Sequence, residues 1–324
     1  MRIAVTGSIA TDHLMSYPGR FAEQFVADRL DQVSLSFLVD ELEVRRGGIA
    51  ANITFGLGQL GVTSTLVGSV GSDFDEYRAW LDRHGVDTGS VHVSGTKQTS
   101  RFVCTTDADQ NQIASFYAGA MSESREIELQ PIAERLGGLD VVVISANDPE
   151  AMVRHTQECR DRGYRFLADP GQQLARMDGE SIKSLVGGAE FLFTNEYEHG
   201  LLLKSTGWTH EEVLQRVGKW FTSLGPKGVR VEAAGEPTLV VEPPKEKQKG
   251  DPTGVGDALR AGFLAGLSHD LGIERSLQLG CTLATVSLET DGPQEYEVDR
   301  EPFLARFAEA YGDAAVAEVG PKLR

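Results

Sequence analysis

The sequence predicts an α/β fold: a doubly wound, mostly parallel sheet with a small β-sheet lid. Three observations lead there. Short apolar runs bounded by turn residues alternate with stretches of helical spacing along most of the chain. Paired or closely spaced glycines stand immediately before two of the helical stretches. Two regions instead keep a period of two, with no helix of good length between them.

The elements follow in order. Arg2–Thr6, Ser64–Val70, Asp140–Ser145, Arg165–Ala168 and Phe191–Thr194 read as buried strands, because continuous apolar runs of that length suit strands covered on both faces. Ile49–Leu60, Glu76–Arg83, Ala151–Arg160 and Ser181–Val186 carry helical spacing between them. The C-terminal third adds a helix over Glu211–Trp220, a strand pair around Gly228–Val241, and helices over Asp257–Leu267 and Glu274–Leu288. The period-two segments Val33–Phe37, Arg101–Thr105 and Gln112–Phe116 form the β-rich lid. This divides the chain into a large α/β domain (1–10, 47–94 and 118–324) and a lid (11–46 and 95–117). Pro243–Lys249 is a solvated loop.

A length of 324 residues supports a full core, and 40% hydrophobic with 24% charged residues fits a folded globular chain. The net charge of −17 repels polyanions and anionic membrane surfaces, so the expectation is no nucleic acid and no membrane partner. Cys104, Cys159 and Cys281 are widely spaced and odd in number, which gives neither a disulfide framework nor a zinc knuckle. No signal-like or membrane-length apolar window is present, and a reducing cytoplasm is the expected location. Glycine, at 36 residues, is in excess and suggests close backbone approaches to a ligand.

Gly56, Gly58 and Gly61 satisfy G-x-G-x-x-G, but they end a helical run, whereas the dinucleotide fingerprint follows a strand and opens a helix. The informative segment is Asp251–Asp257, DPTGVGD, directly before ALRAGFLAG. Free backbone N–H groups of Gly254, Val255 and Gly256 at the positive end of a helix make an anion site, with Asp257 in the first turn. An isolated Gly-x-Gly-Asp would be no more than a helix cap. Its company changes that reading: Gly47-Gly48 before a helix bearing Asn52, Asn195 to Glu198 after the strand FLFT, and Ser223-Leu224-Gly225-Pro226-Lys227-Gly228 at a further strand end.

Together these segments resemble the ribokinase-type (PfkB) carbohydrate kinase family over nearly the whole chain. Gly47-Gly48 with Asn52 is similar to its first signature, Asp251–Asp257 to its second, Asn195 and Glu198 to its N-x-x-E motif, and Ser223–Gly228 to its nucleotide turn. Pro252, Val255 and Glu76 depart from the usual pattern without removing a group the chemistry needs. Within the family the likeness is to bacterial adenosine kinases, carried by GSIATDHL, SLSFLV, ASFYAGAM, ADPGQQLARM and LGPKG.

The resemblance implies transfer of the γ-phosphate of ATP to the 5′-hydroxyl of adenosine, with Asp257 as base and the Gly254–Gly256 amides holding developing charge. It implies ATP and Mg²⁺ as cofactors, K⁺ near Asp251, and a homodimer formed through the lid. Asn195 and Glu198 would act near the metal, largely through water, and Ser223–Gly228 with Gly256 would line the ATP site. On the acceptor side Asp12 would take the ribose hydroxyls, with Ser8, Ser36, Gly48 and Asn52 around it. Phe102 and Phe116 would hold a flat purine between their rings. Gln112, Gln172, Gln173 and Arg176 would be polar partners of the base or phosphate. A sugar kinase for ribose or fructose would carry polar lid groups in place of the two phenylalanines. A non-catalytic nucleoside-binding protein would have no use for a base beside an anion site.

Overall fold

A computed structural model describes residues 1–24 and 35–323. In chain order the strands are β1 Ile3–Thr6, β2 Ala10–Ser16, β3 Glu41–Gly47, β4 Ser64–Val67, β5 Ser69–Val70, β6 Val86–Asp87, β7 His92–Val93, β8 Ser100–Thr106, β9 Gln112–Tyr117, β10 Val141–Ser145, β11 Phe166–Asp169, β12 Phe191–Asn195, β13 Lys219–Ser223, β14 Val229–Glu232 and β15 Leu239–Val241. Nine form one sheet in the order β15-β14-β13-β12-β11-β10-β1-β4-β6. From β13 to β6 neighbours are parallel, and β14 and β15 close one edge antiparallel.

Alternation along each strand feeds two cores, one on each face. Val5, Val143, Leu167, Phe193 and Phe221 pack beneath the helices Ile49–Gln59, Val255–Ser268 and Ile273–Leu288. Ala4, Val142, Ile144, Ala168, Leu192 and Trp220 pack beneath Pro149–Arg162, Gly179–Val186 and Glu196–Thr206. This is the doubly wound architecture expected from the alternating runs. The small residues of ALRAGFLAG have a packing reason: a Cβ at Gly262 would stand 2.5 Å from the Gly280 Cα on the neighbouring helix.

A second, four-stranded sheet runs β3-β2-β8-β9, with β2 parallel to β8 and the outer pairs antiparallel. It includes Ala10 and Gly47, one residue beyond each expected edge of the first β-rich stretch. Of the period-two segment Val33–Phe37, residues 33 and 34 lie outside the described residues and 35–37 form no strand.

The helix expected over Glu211–Trp220 is corrected. It spans only His210–Leu214, and Lys219–Ser223 is strand β13. Trp220 and Phe221 are fully buried on opposite faces of the sheet, so burial on a period of two overrides the helical spacing of the preceding residues.

Candidate active site

The C-terminal ends of β1, β10, β11, β12 and β13 point to one edge of the large sheet, where open α/β sheets bind ligands. A cavity of about 500 Å³ lies there, between that edge and the four-stranded sheet. A larger groove of about 960 Å³ on the outside has only Arg176 in common with this cavity and is lined by mixed acids and arginines.

The cavity brings together Ser8, Asp12, Gly48, Asn52, Phe102 and Phe116 with Gln172, Gln173, Arg176, Gly254 and Asp257, residues spread over most of the chain. The register of the small sheet explains part of this. Arg45 pairs with Asp12, Asp12 with Phe102, and Phe102 with Phe116, so one transverse row crosses four strands and its side chains share a face. Neighbouring Cβ atoms in such a row lie roughly 5 Å apart. Phe102 and Phe116 thus stand side by side on one face, and both line the cavity.

Two expected residues are not brought in. Ser36 is exposed, in no helix or strand, and outside the cavity. Gln112 shares the face of Phe116 but sits four residues away along β9, roughly 13 Å, where its Nε2 donates to Thr106 Oγ1 at 3.4 Å.

Asp257 stands on the first turn of the helix Val255–Ser268, whose N-cap Gly254 has φ +80°. A Cβ at Gly254 would meet Pro293 at 2.4 Å, so only glycine fits this turn. The Val255 N–H donates to the Pro252 carbonyl at 3.3 Å and belongs to the turn, which corrects its place among the expected anion-binding amides. Gly256 and Asp257 precede the first intrahelical bond, from Ala258 N–H to Gly254 carbonyl. Arg260, one turn on, donates to the Gly256 carbonyl at 2.8 Å and to Asp169 Oδ1 at 2.5 Å, tying this turn to the end of β11.

Burial pushes the Asp257 carboxyl up to about 7; the hydrogen bond from Asn52 Nδ2 (2.8 Å) and the Arg260 charge oppose the rise, and Asp169 adds to it. Burial likewise lifts Asp12 to about 6, opposed by Arg45 and reinforced by Asp251. Asp251, beside which K⁺ was expected, has Oδ2 paired with Arg45 at 2.7 Å and Oδ1 accepting the Thr253 N–H at 2.8 Å. Ser8 Oγ accepts the Ile49 N–H at 3.0 Å, which leaves its own proton to donate. Gln173 is buried, with Nε2 donating to the Asn147 carbonyl at 2.7 Å and Oε1 without a partner.

The nucleotide-side motifs lie further along the same edge, outside this cavity. Asn195 and Ser223 are register partners at the ends of β12 and β13, which sets the N-x-x-E segment beside the glycine turn. Asn195 and Glu198 close a capping box: the Glu198 N–H donates to Asn195 Oδ1 at 2.8 Å and the Asn195 N–H to Glu198 Oε2 at 2.9 Å. In the turn Leu224 N–H donates to the Gly228 carbonyl at 2.8 Å. Gly228 has φ +89°, and a Cβ there would fall 1.9 Å from the Val241 carbonyl oxygen. Gly228→Ala is expected to lower stability by more than about 2 kcal/mol, which urea unfolding checks.

Among the described residues no three His, Cys, Asp or Glu side chains gather into a metal cage. Glu198 keeps Oε1 outside the capping box and Asn195 is exposed, so this donor set fits a metal carried by phosphates and touched through water. The sequence did not reveal Arg45, Asp169, Arg260, Tyr77 or Gln294 as parts of the site. Each acts through tertiary pairing, which no local motif announces.

An open parallel sheet with a glycine-started helix presenting an aspartate, and a second sheet across the cavity, is the architecture that the resemblance to the ribokinase-type kinases implies. The sequence profile of the pfkB family of carbohydrate kinases matches residues 6–299, and the chain belongs to that family. It is similar to the Burkholderia thailandensis nucleoside kinase, solved in complex with inosine, at 30% identity and a TM-score of 0.82 over 96% of this chain and 98% of that one. The nucleoside kinase of Methanocaldococcus jannaschii is 26% identical over 298 residues, covering 90% of this chain and 92% of that protein. The ribokinase of Thermotoga maritima shares the fold at 21% identity, with a TM-score of 0.75 over 94% of this chain and 99% of that one.

Proposed function

We propose that the protein is a nucleoside kinase that transfers the γ-phosphate of ATP to the 5′-hydroxyl of adenosine, giving AMP and ADP. The observation that carries this reading is the row Arg45–Asp12–Phe102–Phe116, which aligns a carboxylate for vicinal hydroxyls with an apolar floor for a flat base on one face of the cavity. The nucleoside kinases among the similar proteins support it, as does the sequence likeness to bacterial adenosine kinases.

In this reading Asp12 accepts the 2′- and 3′-hydroxyls, Asn52 and Ser8 flank the sugar, and Gln172, Gln173 and Arg176 offer polar contacts. Asp257 accepts the proton of the 5′-hydroxyl, and a carboxyl group poised near neutrality is suited to that task. The N–H groups of Gly256 and Asp257 hold charge developing on the transferred phosphoryl group. Ser223–Gly228 line the nucleotide, and Asn195 and Glu198 would hold Mg²⁺. When bound, the metal neutralises phosphate charge and keeps the transfer in line.

The four-stranded sheet serves as the lid. Its outer face carries Leu42, Val44, Ile113 and Tyr117, all exposed, and is the proposed homodimer contact; Val44→Glu should then convert a dimer to a monomer in sedimentation.

A panel of adenosine, inosine, other nucleosides, ribose and fructose with ATP and Mg²⁺, read as ADP release, tests the function. Adenosine should give the highest kcat/KM; a preference for a free sugar would refute nucleoside phosphorylation. Phe102→Ala should raise the KM for adenosine about tenfold and change ribose little, since only the base rests on that ring.

A further inference from the structure

Tyr77 and Gln294 touch no expected ligand, yet a directed hydrogen-bond chain runs from them to Asp257. The Tyr77 hydroxyl donates to the Gly47 carbonyl at 2.8 Å. Gln294 Nε2 donates to Tyr77 Oη at 2.5 Å and to Asn52 Oδ1 at 2.8 Å. Asn52 Nδ2 donates to Asp257 Oδ2 at 2.8 Å. The links join the helices Ile49–Gln59 and Asp75–Arg83 to the segment between the helices Ile273–Leu288 and Arg300–Tyr311, and Gln294, Tyr77 and Asn52 are all buried.

The chain has one polarity. A backbone carbonyl can only accept, so the Tyr77 proton goes to Gly47. Tyr77 Oη must then accept, and Gln294 presents its NH₂ group. The same NH₂ group claims Asn52 Oδ1, and the Asn52 amide is left with its NH₂ toward the aspartate. If the Tyr77 proton turned to Gln294, both amides would invert and Asn52 Oδ1 would face Asp257. Only a protonated carboxyl could satisfy that oxygen.

We propose that Tyr77 and Gln294 are positioning residues that, through Asn52, hold the carboxylate of Asp257 as a hydrogen-bond acceptor able to take the nucleoside proton. This deepens the proposed function and rests on its assignment of Asp257 as the base. The other charged groups acting on Asp257 are Arg260 on its own helix and Asp169 at the end of β11; burial holds the hydroxyls of Tyr77 and Tyr296 protonated.

The test uses Tyr77→Phe and Gln294→Met in the full-length protein, with thermal unfolding as the check on folding. The Asp257 carboxyl is titrated by ¹³C NMR, its signal assigned by loss in Asp257→Asn, and kcat is measured against pH. Both variants should raise the Asp257 midpoint by about one pH unit, tenfold in proton affinity. In both, kcat should fall about tenfold on the acid side and recover at alkaline pH, with the KM for ATP unchanged. An unmoved midpoint in a folded variant, or a loss of kcat by one factor at every pH, overturns the proposal. If one variant does not fold, the other decides. Full turnover by Asp257→Asn would instead refute the base assignment, and the titration would still judge the hydrogen-bond chain.

Discussion

Asp257→Asn is expected to bind adenosine with unchanged affinity and to turn over about 10²- to 10⁴-fold more slowly, the usual worth of a positioned general base. Asn52 can still engage the amide oxygen, so the pocket keeps its shape while the proton acceptor is gone. Calorimetric titration with adenosine and single-turnover kinetics separate the two effects. A parallel loss of binding would assign Asp257 to substrate holding and remove it from the chemistry. The substitution should also stabilise the protein at alkaline pH. A carboxyl whose folded value is raised to about 7 binds its proton more tightly folded than unfolded, so stability is lost as pH rises from about 4 through 7. Asparagine has no such cost, and its thermal midpoint should exceed that of the native protein at pH 8.

Asp12→Ala is expected to weaken adenosine binding by about 10- to 100-fold, because hydrogen bonds to a charged partner contribute roughly 1.5–3 kcal/mol. Arg45 is not stranded by the change, since Glu43 and Asp251 still pair with it. The KM of the native protein should rise as pH falls below about 6, where Asp12 takes up a proton, and the variant should lose that dependence. A 2′,3′-dideoxyadenosine control should bind both proteins alike; if the variant still favours adenosine over the dideoxy compound to the native extent, the hydroxyls are held elsewhere.

Much of this was legible in the sequence where the cause is local. Apolar runs such as Val141–Ser145 and Phe191–Thr194 are buried on both faces whatever their neighbours, so they read as strands without further context. Gly254 and Asp257 were readable because a glycine before a helix and an acid in its first turn are backbone chemistry. Register was not legible. Nothing near Arg45 says that it faces Asp12, and nothing near Gln112 says that it falls four residues from the cavity while Phe116 reaches it. The strand Lys219–Ser223 was hidden because the helix His210–Leu214 stops only five residues earlier. Arg260 and Gln294 join partners 91 and 242 residues away, and sequence proximity carries no trace of such pairs.

The transverse row of the small sheet also works as a ruler. Arg45, Asp12, Phe102 and Phe116 hang from adjacent strands of one hydrogen-bonded ladder, so under the proposed function strand spacing sets how far the sugar anchor stands from the base platform. Movement of that sheet as a body would change how far the nucleoside stands from Asp257 but not its length between anchor and platform. Under the proposed function, gauging the substrate and delivering its hydroxyl are thereby separate operations. A nucleoside with an enlarged base should fail at the ruler, in its KM, while one with a displaced 5′-hydroxyl should pass the ruler and fail in kcat.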